Sequence, residues 1–260
     1  MIRSAPVRRI LLLLLLFLSL IVAGGLAWRY YPRRSAVTVP RVPPRDQCLD
    51  MVVDDPEGAL QAARGLRGAA ALHCEGLAEI ELGSADVGAP LLMRAGRDAS
   101  LAPGARAAIL GEASRAYLMI DNASAARGVS RAALALVPND PDLRFDDAIA
   151  ALAVKDFAGA IADLAVSLAA DPRNEQALVA RATAYRQIGK LPQARADADV
   201  AVAIDPDDQD ALLERGIIRQ REGDAAGARS DWQRVESIDP ASSSAELAAQ
   251  NLALLAASGG

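Results

Sequence analysis

Residues 171–208 read DPRNEQALVARATAYRQIGKLPQARADADVAVAIDPDD. The stretch opens on Asp171-Pro172 and closes on Asp205-Pro206, 34 residues later, and Asp239-Pro240 follows after another 34. With Glu175 as slot 1, slot 4 is Leu178, slot 8 Ala182, slot 11 Tyr185, slot 15 Gly189, slot 20 Ala194, slot 27 Ala201, slot 30 Ile204 and slot 32 Pro206. A shift of 34 puts Leu212, Gly216, Arg219, Gly223, Ala228, Val235, Ile238 and Pro240 in the same slots. The opposite shift gives Ala148, Ala151, Ala160 and Pro172, with Leu164 at slot 24. One step further back gives Leu110, Ser114, Tyr117, Ala126, Ala133, Leu136 and Pro138. A fixed period of this length marks stacked structural repeats.

Each slot has a physical reading. Small residues at slots 8, 20 and 27 let two helices approach closely, and larger ones at 4, 11 and 24 fill the gaps. Gly189 and Gly223 sit where a first helix ends, and glycine suits the left-handed turn expected there. Proline at slot 32 stops the second helix, and the neighbouring Asp or Asn favours a turn and a new start. One such hairpin cannot bury its own apolar face, so neighbours must stack.

The pattern resembles the tetratricopeptide repeat, a helix–turn–helix unit. The resemblance is good over 107–240 and weaker over 69–102. There Leu72, Gly76, Gly83, Gly88 and Leu92 fill matching slots, but Ser100 stands at slot 32 and Pro103 comes three residues late. The family implies an all-α fold, a right-handed α-solenoid. Its units here are a degenerate N-terminal hairpin at 46–68, then 69–102, 103–140, 141–174, 175–208 and 209–240. Residues 241–258 follow as a capping helix, opened by a Ser243-to-Glu246 capping box and presenting Glu246, Gln250 and Asn251 to water.

Composition agrees with helices. Apolar residues are 52% of the chain but aromatics only 3%, so the core must be built from Ala and Leu, both good helix formers. Charge is unevenly spread. Residues 1–45 carry eight arginines and no Asp or Glu, whereas 46–260 carry 20 basic against 33 acidic side chains, a net of −13. So acidic a folded part argues against nucleic acid as a partner.

Residues 10–28, ILLLLLLFLSLIVAGGLAW, hold no charge and follow a basic segment at 1–9. As a helix they would be about 28 Å long, near the roughly 30 Å of a bilayer core. The sequence therefore predicts a transmembrane signal-anchor helix at 10–28, with a cleaved secretory signal as the competing reading. Pro32, Pro40, Pro43 and Pro44 make 29–45 a semi-rigid linker. The arginines after the helix favour a cytoplasmic solenoid under the positive-inside rule. Likeness to a bacterial signal-anchor, together with the cysteines, favours export, and the expected location is the periplasmic side of the inner membrane.

In the family, slots 2, 5, 9, 12 and 13 of the first helix face a groove. They give Asp142, Phe145, Ile149, Leu152 and Ala153; Gln176, Val179, Thr183, Arg186 and Gln187; and Asp210, Leu213, Ile217, Gln220 and Arg221. This implies an apolar strip edged by Arg and Gln, suited to a peptide or partner helix with a carboxylate near Arg186 or Arg221. Packing against neighbouring repeats is the plainer alternative. The Lys and Asn clamp by which some cochaperones hold a C-terminal carboxylate is absent at slots 5 and 9.

Cys48 and Cys74 are the only cysteines. A bridge between them would staple the weakest-patterned end and add roughly 3 kcal/mol by chain entropy; two buried thiols in a reducing compartment are the alternative. His73, the lone histidine, has no further ligands for a metal site. No phosphate-binding glycine loop, Ser-His-Asp set or paired-carboxylate signature is present. The abundant Asp and Glu read as solvated helix surface.

The expected function is a non-catalytic, membrane-anchored scaffold that binds a protein or peptide in the cell envelope, without cofactor or metal. Proteins of cytochrome c biogenesis and envelope assembly share that layout. The alternatives are a cytoplasm-facing adaptor and a thiol redox accessory protein.

Overall fold

Among the residues that the computed structural model describes, 46–257, the chain forms thirteen α-helices. Helices α1 (Asp46–Met51) and α2 (Pro56–Ala63) come first. Five hairpins follow: α3 (Ala69–Glu81) with α4 (Ala85–Gly96), α5 (Pro103–Met119) with α6 (Ala123–Leu136), α7 (Pro141–Ala153) with α8 (Phe157–Ala170), α9 (Glu175–Gln187) with α10 (Leu191–Ile204), and α11 (Gln209–Glu222) with α12 (Ala225–Ile238). Helix α13 (Ser243–Ala257) closes the series. Each first helix packs on its own second helix, each second helix on the next first helix, and α5, α7, α9, α11 and α13 succeed one another. This is a TPR-like α-solenoid.

Starts and turns repeat in step with the sequence. The residue before each of α7, α9, α11 and α13 caps it through a side-chain oxygen, whereas Gly68 before α3 and Ala102 before α5 make no such bond. Asp140 accepts from the Asp142 and Leu143 amides, Asn174 from Ala177, Asp208 from Asp210 and Ala211, and Ser242 from Ala245. In the three Asp-Pro pairs spaced by 34, the Asp closes a small turn: Asp171 accepts from the Arg173 amide, Asp205 from Asp207 and Asp239 from Ala241. Slot 15 takes a positive φ in four successive hairpins, at Asp121 (55°), Lys155 (62°), Gly189 (76°) and Gly223 (86°). The turn thus persists even where glycine is missing.

Packing divides into three main apolar groups. One runs from Phe145 through Leu164, Leu178, Leu212 and Trp232 to Leu255. A second spans Ala69 to Ala150 and includes Leu92, Leu110 and Tyr117. The third is small: Cys48, Val52, Ala59, Ala63, Cys74 and Ala78 join α1 and α2 to α3. Cys48 and Cys74 are bonded to each other within it, their Cα atoms 6.1 Å apart.

The fold expectation needs one correction. The segments read as a basic start (1–9), a transmembrane helix (10–28) and a linker (29–45) lie outside the described residues. Among the described residues, no helix is long and apolar enough to cross a membrane. The longest of them, α5, has 17 residues and carries Arg106, Glu112 and Arg115. The fold that stands is the all-α solenoid alone. Membrane anchoring, the membrane as a partner and the periplasmic, single-pass location have no support from it and are withdrawn.

Candidate functional site

The first helices α7, α9 and α11 carry the slots expected to line a groove. At slot 5, Phe145 and Leu213 are each 8% exposed and belong to the main core, while Val179 is half-buried. At slot 9, Ile149, Thr183 and Ile217 are all half-buried. Leu152 and Gln220 are also half-buried, and Gln187 and Arg221 are exposed. The surface open to a ligand is therefore narrower than the sequence pattern implied. It is a row of partly exposed apolar side chains, deepened by Phe145 and Leu213 beneath it.

Arg186 does not offer its charge to a ligand. Its Nε donates to Glu214 Oε1 at 2.6 Å and its Nη2 to Glu214 Oε2 at 3.0 Å. Both residues are buried, and the Arg221 Nη1 donates to the Arg186 carbonyl at 3.3 Å. Of the two arginines expected to meet a partner's carboxylate, Arg186 is thus occupied from within, while Arg221 is exposed. The geometry is a bidentate fork, the strongest form of this pair.

The same device joins other steps. His73 Nε2 lies 2.6 Å from Glu112 Oε2, between α3 and α5, and Arg115 Nη1 donates to Asp146 Oδ2 at 2.5 Å, between α5 and α7. Glu112, Asp146 and Glu214 all occupy slot 6 of the later helix. At the α7-to-α9 step slot 6 holds Ala180, so no pair of this kind can form there. Ile149, Leu152 and Val179 give that step an apolar surface instead.

A second set of pairs ties first to second helices inside the hairpins. Arg181 Nε and Nη2 donate to Asp197, each at 2.8 Å, and Arg215 repeats this with Asp231 at 3.0 and 2.7 Å. Arg219 adds a third donor to Asp231, at 2.8 Å. In the preceding hairpin the Arg slot holds Asp147, which faces Asp163. Arg127 pairs with both, Arg144 donates to Asp163 at 2.6 Å, and Ser130 donates to Asp147 at 2.5 Å. Burial pushes the Asp147 carboxyl up, and its shared hydrogen bond with Asp163 pushes it further; Ser130 and Arg127 pull it down.

These carboxylates were expected on solvated surface. Asp146, Asp147, Asp163, Asp197, Glu214 and Asp231 are instead buried. The signal was in the sequence: Asp163, Asp197 and Asp231 recur at 34 residues, as do Arg181 and Arg215. The folded part as a whole remains acidic, with a net charge of −13 over 46–260. Burial raises the Glu175 carboxyl, and Asp205 and Asp208 add to the rise. Burial also raises Asp208; the Ala211 and Asp210 amides oppose this, and the Asp210 and Asp205 charges add to it.

Among the described residues, no set of catalytic groups is assembled. Among the described residues, no three of His, Cys, Asp or Glu are placed to hold a metal ion. A cleft of about 590 Å³ between α12 and α13 is lined by Glu236, Ser242, Ser243 and Glu246, with no activated nucleophile among them. The arrangement is that of a TPR-like α-solenoid.

No protein-family model matches this chain, and no curated protein matches it. Solved structures do. The chain is similar to MamA (residues 41 to the end) of Desulfovibrio magneticus RS-1, at 18% identity and a TM-score of 0.56, over 74% of this chain and 99% of that one. A tetratricopeptide repeat protein of Parabacteroides merdae ATCC 43184 matches at 16% identity and a TM-score of 0.61, over 73% of each chain. A thermophilic TPR protein of Thermus thermophilus matches at 16% identity and a TM-score of 0.57, over 72% of this chain and 100% of that one. Such likeness establishes the TPR-repeat fold shared with these bacterial proteins.

Proposed function

We propose that this chain is a protein–protein interaction scaffold whose first-helix face receives a segment of a partner protein. The observation that carries this reading is the row Ile149, Val179, Thr183 and Ile217. These four partly exposed side chains lie on three consecutive first helices that buried ion pairs and cores hold in place. Fixed, shallow apolar anchors on a rigid frame suit a peptide or helix that supplies the complementary side chains. Arg186 belongs to the frame. Service as an assembly factor is a narrower form of the reading and rests on likeness of architecture alone.

Site-specific photo-crosslinking tests the face. A crosslinker replacing Thr183 should capture a defined partner that one replacing Val200, exposed on second helix α10, does not. Equal capture at both positions would sink the assignment.

A second reading is a thiol redox accessory role, favoured by the Cys48–Cys74 bridge between α1 and α3. An external dithiol would be oxidised to its disulfide as the bridge takes up two electrons and two protons. Cys48 is 2% exposed and Cys74 0%, so α1 must first move. If a millimolar dithiol leaves partner capture at Thr183 unchanged while both thiols become alkylatable, this role is excluded.

A further inference from the structure

Helix α13 is in register with the first helices. Ser243 stands 34 residues after Gln209, so Leu247 falls on the slot of Phe145, Val179 and Leu213, and Leu254 on that of Leu152, Arg186 and Gln220. Among the described residues no helix follows α13, and an edge left uncovered is expected to be polar. Helix α13 is polar at slots 4 and 8. Where α9 and α11 bury Leu178, Ala182, Leu212 and Gly216, it exposes Glu246 and Gln250. Its groove-facing slots break that logic: Leu247 is 49% exposed and Leu254 65%. A reading of α13 as a solvating cap accounts for the first pair of slots but not for these leucines.

We propose that the partner-binding face continues onto α13, where Leu247 and Leu254 seat the apolar side of a basic amphipathic helix of the partner protein. The inference rests on the groove reading above and names its occupant. Seven residues separate the two leucines, two helical turns or about 10.5 Å. That spacing matches the i and i+7 anchors of a second helix laid along them. Charge sets the rest of the chemistry. Residues 46–260 have a net charge of −13, exposed Glu246 adjoins Leu247, and exposed Asp210 accepts a hydrogen bond from Ser244 at the start of α13. Burial raises the Glu175 and Asp208 carboxyls, and the charges of Asp205, Asp208 and Asp210 add to this, against Arg173 at Glu175 and the Ala211 and Asp210 amides at Asp208. A partner carrying Lys or Arg beside its apolar stripe relieves that repulsion.

The test uses the full-length chain, immobilised, and a synthetic amphipathic helix of about 15 residues with leucines at i, i+4 and i+7 and lysines elsewhere. It should bind, and added salt should weaken it. Leu247→Gln with Leu254→Gln should reduce binding by about tenfold or more, as loss of central anchors does. Thr183→Arg, which tests the groove itself, should also weaken it. If Thr183→Arg abolishes binding and the double variant does not, the extension onto α13 is overturned and the groove stands. The reverse result overturns continuity between the two. Equal binding of a scrambled lysine peptide, or of one with glutamates for lysines, overturns the stated chemistry. Self-association of the chain that the double variant abolishes, without peptide binding, assigns the face to a second copy and overturns the proposal.

Discussion

Arg186 on α9 and Glu214 on α11 are locked together by two hydrogen bonds across the step between successive hairpins. Their side chains are only 10% and 8% exposed, so each charge depends on the other. Breaking such a pair strands a buried charge, whereas replacing both partners by apolar groups often does little harm.

Glu214→Gln should therefore destabilise the chain by about 3–5 kcal/mol, while Arg186→Met with Glu214→Leu should lose far less. Urea unfolding of Glu214→Gln, of the singles Arg186→Met and Glu214→Leu, and of the double variant measures this. A double variant as damaged as the sum of the singles would show that the pair is not coupled.

The turn slots give a prediction of opposite sign. Lys155 holds the left-handed turn at slot 15 that Gly189 and Gly223 hold without a side chain, and Lys190 starts α10 without a capping hydrogen bond where Asn122, Asp156 and Asp224 each make one. Lys155→Gly should stabilise by about 0.5–1 kcal/mol. Lys190→Asp should add about 1 kcal/mol by accepting from the Gln193 amide. Each raises the melting temperature by about 2–4 °C in a domain of this size.

The period carried most of the fold, because helix caps, small-residue slots and turns are local and repeat with the chain. Slot 15 at Asp121 and Lys155 was hidden, since neither is a glycine and only stacking forces the positive φ. The ion pairs were hidden differently. An Asp on a helix reads as solvated unless its partner's reach is known, and Arg186 reaches a helix 28 residues on. The slot pattern put Arg186 among the groove positions, but a long side chain leaves its own slot. The exposure of Leu247 and Leu254 could not be foreseen while α13 was read only for its polar residues.

Buried Asp147 makes stability depend on pH. Burial, and the hydrogen bond to Asp163, raise the Asp147 carboxyl above its unfolded value of about 3.9. A raised carboxyl contributes stability that is fully present below the unfolded value and is lost as pH rises through the folded one. Asp147→Asn cannot ionise and keeps a side-chain oxygen for Ser130. The variant should gain stability relative to the native chain between pH 4 and pH 7. Parallel urea midpoints for both proteins across that range would show that Asp147 ionises normally.

Of the two glycines at slot 8, Gly216 leaves less room against its slot 24 partner, Trp232, than Gly76 does against Leu92. The indole lies fully buried against the glycine Cα and donates its Nε1 hydrogen to the Leu213 carbonyl at 3.3 Å. A Cβ on Gly216 would overlap the indole ring, which core neighbours hold on its other face. The same size exchange appears at Gly76 with Leu92, where a Cβ would come within 2.9 Å of the leucine side chain. Gly216→Ala should destabilise by about 1–3 kcal/mol through overpacking, despite alanine's better helix propensity. Trp232→Leu alone should lose about 3 kcal/mol or more, from a cavity and a lost indole hydrogen bond. Combined, the two changes restore the Ala148 and Leu164 arrangement found two hairpins earlier, in the first of these two slots and the last. The double variant should therefore be more stable than the sum of the singles predicts, by about 1 kcal/mol or more. Strict additivity in chemical unfolding would mean that Gly216 is small for a reason other than the ring beside it.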